Sequence, residues 1–415
     1  MKSNRYWSLV AAFAFVGAIT GTADAKGPNG PVIVAKTGPH CVDDSNCFNR
    51  YHPDIPPVAT ANPGQRIIFQ TRDALDSDLD FDSTPADVAA IDLNLVHPMT
   101  GPVHITGAER GDVLAVTLVN IKPEGFGYSV IVPGFGFLRD LFPDPFFSGW
   151  KLTRGNATSA QIPGVTIPFA GFMGSVGVLP GDSEVNMILA READLGAVGG
   201  VALQPEPTGA RPPDICGPAG IDKDRCLRTI PPRENGGNMD VKQMQIGTTL
   251  LLPCFIDGCG LFVGDVHYAQ GDGEVSGTAI EMGATVTVVT EVRKGLGAFV
   301  KVPHFEGGAQ LKKLAPEKFY ATTGFPLKDA GTIPPTHGYL DGPIITPLEN
   351  LSEDLTLAAR NALIEMIDWM VENKGLTPEQ AYIVASVAVD LRIGQVVDVP
   401  NYIVSAVLPL TIFKN

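Results

Sequence analysis

The stretch whose reading decides the fold is residues 248–292, TTLLLPCFIDGCGLFVGDVHYAQGDGEVSGTAIEMGATVTVVTEV. Apolar and polar residues alternate here with a period close to two, in the runs 248–255, 261–270 and 277–292. Successive side chains of a strand point to opposite faces, so this alternation predicts half-buried β structure. Asp257-Gly258 and Gly271-Asp272-Gly273 separate the runs and supply turn residues. Chemistry rides on the same spacing. Asp265 and His267 are two apart and share a face, Gln270 and Glu274 flank the second turn, and Glu281 lies in the next strand.

Outward from this segment, 64–70 and 113–121 read as further strands, the second opened by the turn Arg110-Gly111-Asp112. Gly134-Phe135-Gly136 lacks the third glycine and following helix of a dinucleotide site. The loop Arg233-Glu234-Asn235-Gly236-Gly237-Asn238-Met239-Asp240 holds two adjacent glycines, which let the backbone approach a ligand closely. Helices are expected near the end. Ser352 is read as the cap of one carrying Leu355, Ala359, Leu363, Ile367 and Met370, closed by Gly375. Thr377-Pro378-Glu379-Gln380 opens a second, expected to reach about Asp390.

The expected fold is mainly β (α+β): a β-sandwich or barrel-like core with a C-terminal helical α/β portion. The expected divisions are a signal peptide at 1–25, an extended arm at 26–60, a catalytic core at 61–292 with a surface insertion at 196–232, and the C-terminal portion at 293–415. The 46 glycines and 35 prolines suit such a turn-rich architecture.

Lys2 and Arg5, the apolar run from Trp7 to Ile19, and Ala23-Asp24-Ala25 have the order of a cleavable export signal. The run is shorter than the roughly 20 residues of a membrane span. The expected location is therefore periplasmic or secreted. Six cysteines fall into close couples, Cys41 with Cys47, Cys216 with Cys226 and Cys254 with Cys259. In an oxidising compartment these read as three disulfides; a zinc knuckle is the competing reading, but no couple has C-x-x-C spacing. Net charge is −15, or −16 once Lys2, Arg5 and Asp24 leave with the signal. So acidic a surface makes nucleic acid and membrane poor partners and leaves small molecules open.

Imidazole and carboxylates at this density suit a divalent metal, zinc first, which lowers the pKa of a water and polarises a carbonyl. The bland alternative is that they only cap turns around a satisfied histidine. Asp76-x-Asp78-x-Asp80 resembles the start of a calcium loop, although Phe81 stands where glycine is needed, and a solvated acidic loop is the competing reading. Centres built on a nucleophilic side chain fit less well. There is no G-x-S-x-G elbow and no serine-rich nucleophile segment, and every cysteine has a partner at hand.

The string Pro232-Arg233-Glu234-Asn235-Gly236-Gly237-Asn238-Met239-Asp240, then Gly264-Asp265-Val266-His267 and Gln270-Gly271-Asp272-Gly273-Glu274, resembles the core signature of the acetamidase/formamidase family. Pro98-Met99-Thr100-Gly101-Pro102-Val103, Gly107-Ala108-Glu109-Arg110-Gly111-Asp112, Ile162-Pro163-Gly164-Val165, Ala279-Ile280-Glu281-Met282, Asp390-Leu391-Arg392-Ile393 and Gln395-Val396-Val397-Asp398 agree in order. The resemblance covers about 62–400. It implies hydrolysis of a short amide such as formamide or acetamide, a β-rich fold, and homo-oligomers. The export signal, the cysteine couples, the 196–232 insertion and the segment 293–348 depart from it, and His97 and His337 match no motif.

Spacing and resemblance together give expected roles. Asp240, Asp265 and His267 hold the metal. Glu274 moves the proton, with Glu281 able to exchange places with it. Asn238, Gln270 and Glu234 bind the amide. A secreted binding protein that kept the fold and lost turnover is the alternative function.

Overall fold

The three alternating runs become the strands Thr249–Pro253, Leu261–His267 and, after a short Glu281–Met282 segment, Ala284–Arg293. The computed structural model describes residues 30–414, so the export signal read at 1–25 lies outside the described residues. The runs divide between two sheets. Thr249–Pro253 and Ala284–Arg293 flank Val113–Pro123 in a six-stranded sheet, whereas Leu261–His267 crosses an eleven-stranded one. Neither closes into a barrel. Ile67, Phe69, Val116 and Val286 of the first sheet share one core with Val103, Trp150, Met173 and Val263 of the second. Each such buried side chain stabilises the fold by about 1.5–3 kcal/mol relative to exposure.

The arm and the insertion are more embedded than expected. Val32–Val34 pairs in parallel with Arg66–Thr71, and both Cys47–Phe48 and Ala59–Ala61 pair with Met99–Ile105. In the insertion, Leu227–Arg228 pairs with Arg50–Tyr51, and Cys216, Cys226 and Leu227 are buried. Pairing with the arm draws the end of this segment inward, while Val198, Val201 and Ile221 stay exposed. The helix Asp182–Ala197, which no sequence pattern signalled, precedes it and buries only Val185 and Ile188.

At the C-terminal end Phe319–Gly324, Ile403–Pro409 and Asp390–Gln395 form a three-stranded antiparallel sheet, in contact with the helix Leu355–Lys374, against which Pro378–Ala388 packs. The portion is thus α+β in character. Asp354 caps the first helix in place of Ser352, accepting from the Leu357 N–H at 2.9 Å. Gly375 ends it at φ 66°, the left-handed region glycine adopts freely. Thr377 and Gln380 form the capping box of the second, which stops at Ala388 because Val389 turns extended and Asp390 starts a strand.

The cysteines pair as expected, Cys41–Cys47, Cys216–Cys226 and Cys254–Cys259, with Cα separations of 5.3, 5.6 and 4.8 Å. Closing loops this short stabilises each by about 2–3 kcal/mol on chain-entropy grounds. Among the described residues no helix is long and apolar enough to cross a membrane.

Candidate active site

The strand Phe172–Gly177 lies between Leu261–His267 and Gly236–Asn238, and this triple ladder forms one wall of a buried polar centre. Gly174 is its floor. A Cβ there would stand 2.7 Å from His267 Nε2 and 2.6 Å from the Asp265 carbonyl oxygen, so only glycine leaves the space open.

His267 Nε2 is the hub. It lies 3.1 Å from Glu281 Oε2, 3.2 Å from Asp265 Oδ1, 3.9 Å from Asp240 Oδ1 and 4.0 Å from Glu274 Oε1. Asp265, His267 and Glu281 make a deep trio; Asp240 and Glu274 share His267 from a more open side. The other ring nitrogen, Nδ1, is 2.8 Å from Gln270 Oε1, while Gln270 Nε2 donates to the Asp240 carbonyl oxygen at 2.8 Å. That second bond fixes which way the Gln270 amide faces. Nδ1 must therefore donate, leaving Nε2 as the lone-pair nitrogen whenever the ring is neutral.

The sequence reading named most of this centre. Asp240, Asp265, His267, Gln270, Glu274 and Glu281 converge. Asn238 joins them through Ser175, whose hydroxyl is 2.9 Å from Asn238 Oδ1 and 3.4 Å from Asp265 Oδ2. Glu234 does not join. It is held by Arg191 of the Asp182–Ala197 helix, with Nη2 at 2.8 Å, and its expected contact with substrate is replaced by an ion pair. Gln270 has both ends engaged by protein, so it orients His267 and does not face a ligand. His97 was missed. Its Nε2 lies 3.8 Å from Asp265 Oδ2, and its backbone N–H donates to Thr229 Oγ1 at 2.6 Å, a contact supplied by the insertion. His97 is brought there by the pairing of Met99, two residues on, with Gly264, which no local sequence signal records.

Electrostatics separates the carboxylates. Burial raises Asp240 to about 7, helped by Asp265 and opposed by His267. Burial also raises Glu281, to about 8, and Glu274 well above its ordinary range, with Asp240 adding repulsion at Glu274. Burial acts the same way on Asp265, but the imidazoles of His97 and His267 overcome it and hold that carboxyl low. His267 is the converse: burial disfavours its charge, yet Glu281 and Asp265 keep it protonated well above the usual range. Burial lowers His97.

Three of these four carboxyls are raised by burial and by one another, so a nearby positive charge would favour their ionised form. Glu281 Oε2 and Asp240 Oδ1 are buried without a hydrogen-bond partner, an arrangement that costs about 1–3 kcal/mol per group when nothing fills it. A divalent cation fits either set that shares His267, Asp265 with Glu281 or Asp240 with Glu274, because it takes the place of the His267 proton and satisfies the orphaned oxygen of that set. The acidic loop behaves differently. Among the described residues the groups suited to a metal all include His267, and Asp73, Asp76 and Asp80 are taken up by backbone N–H groups instead of converging on a calcium position.

Residues 34–415 match the family described as the Acetamidase/Formamidase family. The chain is 32% identical over 366 residues to an acetamidase of Mycolicibacterium smegmatis, covering 81% of this chain and 84% of that one. It is 28% identical over 399 residues to a formamidase of Methylophilus methylotrophus, covering 89% and 90%. Among solved structures it is similar to a gamma lactamase from Delftia acidovorans, with a TM-score of 0.82, 30% identity, and 92% and 93% of the two chains covered. A match over nearly the whole length, with the central motifs placed around one buried histidine, establishes that this chain belongs to the acetamidase/formamidase family.

Proposed function

We propose that the protein hydrolyses the C–N bond of a small amide at the His267 centre, giving a carboxylic acid and ammonia. One observation carries this reading: the family's motifs bring four carboxylates, two of them buried and two half-buried, to within 4.0 Å of a single imidazole nitrogen. The deep trio Asp265, His267 and Glu281, with Asp240 at the open side, is the set we assign to a divalent cation such as zinc. When bound there, that cation supplies the Lewis acidity that polarises an amide carbonyl.

The remaining steps belong to the chain. Glu274 stands on the open side, its carboxyl pushed well above its ordinary range by burial and by Asp240. In the hydrolytic step it takes the proton of the attacking water as oxygen bonds to the carbonyl carbon. It then returns that proton to nitrogen as the C–N bond breaks. Asn238, anchored through its Oδ1 by Ser175, offers its amide N–H groups to the substrate oxygen. Gln270 holds the His267 ring in the tautomer that presents Nε2 inward. Glu281 is assigned as a ligand and not as the base, since it is deeper than Glu274 and already 3.1 Å from His267.

The gamma lactamase likeness supports a second substrate reading, a five-membered cyclic amide. Its hydrolysis yields an amino acid and releases no ammonia. The test therefore follows both products, with formamide, acetamide and a γ-lactam, before and after chelation and zinc return. Turnover lost on chelation and restored by zinc is expected. Turnover indifferent to the chelator sinks the cation assignment, and binding without turnover on every amide favours the non-catalytic alternative. The three disulfides support action in an oxidising compartment, reached through the leader read at 1–25.

A further inference from the structure

The loop that carries Gln270 and Glu274 is built by one part of the chain and held by another. From Gly271 to Thr278 most of the long-range backbone anchors come from the C-terminal portion. The Gly271 N–H donates to the Ser386 carbonyl at 2.8 Å, and the Leu391 N–H donates to the Asp272 carbonyl at 3.0 Å. Ser386 Oγ accepts from the Ser276 N–H at 3.0 Å and donates to the Thr278 carbonyl at 2.7 Å, and the Tyr382 hydroxyl donates to the Val275 carbonyl. The approach is close enough that a Cβ on Gly271 would stand 2.1 Å from the Val389 oxygen.

At the end of this seam sits a buried charge cluster that the proposed chemistry does not use. Lys242 follows Asp240 by two residues and is 7% exposed; Asp390 is 3% exposed. Lys242 Nζ is ion-paired with Asp390 Oδ1. The same Oδ1 accepts from the Asp272 N–H at 3.2 Å, and Lys242 Nζ also faces Asp272 Oδ2 at 3.8 Å. Gln243 Nε2 donates to Asp272 Oδ1 at 2.9 Å, and Arg392 Nη2 reaches Asp390 Oδ2 at 3.1 Å. One carboxylate from the C-terminal portion thus touches both loops of the centre, the one bearing Asp240 and the one bearing Glu274.

We infer that Lys242 and Asp390 are positioning residues for amide hydrolysis: their buried pair locks the Asp240 and Glu274 loops in register and makes the C-terminal portion part of the active site. The physical reason is geometric. Two loops that must hold catalytic oxygens to within about 0.5 Å cannot rely on their own backbones, and misplacement by about 1 Å lowers rates by about 10²-fold. A pair buried at this junction supplies a fixed distance, since neither charge has water to turn to. The inference rests on the hydrolytic reading of the centre.

The test compares Lys242→Met, Lys242→Arg, Asp390→Asn and Glu274→Gln in the full chain, each checked for folding by thermal melting. In Lys242→Met and Asp390→Asn, kcat on the best amide should fall about 10–100-fold, the range typical of residues supporting a ligand shell, with KM changed less than about threefold. Lys242→Arg, which keeps the ion pair, should recover most of kcat. Independently of activity, amide hydrogen exchange across 270–278 should quicken in Lys242→Met while the Val113–Pro123 strand stays protected. Folded Lys242→Met and Asp390→Asn proteins with kcat within twofold of the unaltered chain overturn the inference. So does an equal loss in Lys242→Arg. If the buried substitutions do not fold, Gln243→Leu removes the Gln243–Asp272 bond alone; a drop of about 3–10-fold in kcat is expected, and unchanged kcat overturns the proposal. An active Glu274→Gln protein marks failure of the proton-transfer assignment and leaves the positioning result to be read separately.

Discussion

The acidic loop 73–82 and the His267 centre are both crowded with carboxylates, yet their oxygens find opposite kinds of partner. In the loop, Asp73 accepts from the Leu75 N–H at 3.0 Å and the Tyr128 hydroxyl at 2.8 Å, and Asp76 accepts twice from the Cys41 N–H, at 2.8 and 3.0 Å. Asp80 accepts from the Asp82 N–H at 2.9 Å. Those carboxylates organise local backbone. At the centre the carboxylates converge on one imidazole, and Asp240 and Glu281 each keep a buried oxygen without a partner. Density of acidic residues is therefore a poor guide to chemistry. The informative feature is a buried acceptor that the chain leaves unsatisfied, because burial without a partner is costly unless a ligand completes it.

The comparison breaks if the centre tolerates what the loop tolerates. His267→Ala should remove cation uptake and bring amide turnover down to background, read by metal analysis and product release, whereas Asp78→Asn should leave turnover within about twofold, as surface changes away from a site usually do. Glu274→Gln should keep the cation and lower kcat by about 10²–10⁴-fold, the contribution of a general acid–base group. If Glu281→Gln instead shows that pattern, the two glutamates exchange roles. Gly174→Ala places a methyl group at the floor, 2.7 Å from His267 Nε2. Displacing that ring and the Asp265 carbonyl, 2.6 Å from the new methyl, should cost about 10²-fold in kcat/KM and lower the melting temperature; kinetics and a melting curve on the same sample decide it.

What the sequence made legible follows from how local each signal is. The alternation of 248–292, the two-residue spacing of Asp265 and His267, the capping box at Thr377 and the cysteine couples are all encoded within about ten residues, and the structure bears out the strands, the cap and the pairings. His97 is different. It reaches Asp265 through the antiparallel pairing of Met99 with Gly264, a contact across more than a hundred residues that no local pattern records. The Asp182–Ala197 helix escaped for another reason: with only Val185 and Ile188 buried, it has almost no apolar stripe to read. Ser352 has the residue type of a cap, but Asp354, two positions on, has the geometry. Glu234 stands among motif neighbours, but it sits in the Glu234-Asn235 turn, which delivers it to Arg191. The fold class was thus readable from periodicity. The membership of the site was readable only where its residues share a hairpin or a loop.

The smallest expected effect tests the loop's own electrostatics. Burial pushes Asp76 up to about 6, against the pull of the Cys41 N–H and the Arg72 guanidinium. Its ordinary value is 3.8, so between roughly pH 4 and 6 the folded chain holds a proton at this position that the unfolded chain has released. A raised carboxylate has the opposite sign to a salt-bridged one. Its favourable contribution is complete below the unfolded value and is lost as pH rises through the folded one. Urea unfolding of the native chain and of Asp76→Asn at intervals from pH 4 to 7 should show this as a difference that drifts steadily in favour of the asparagine variant, then levels above about 6. Activity should not follow the drift, because Asp76 serves the stapled arm at Cys41 and not the His267 centre. A difference that is flat with pH, or one that drifts the other way, means that Arg72 and the Cys41 N–H outweigh burial. In that case the loop's carboxylates are held ionised, and the contrast with the orphaned oxygens of the centre becomes sharper still.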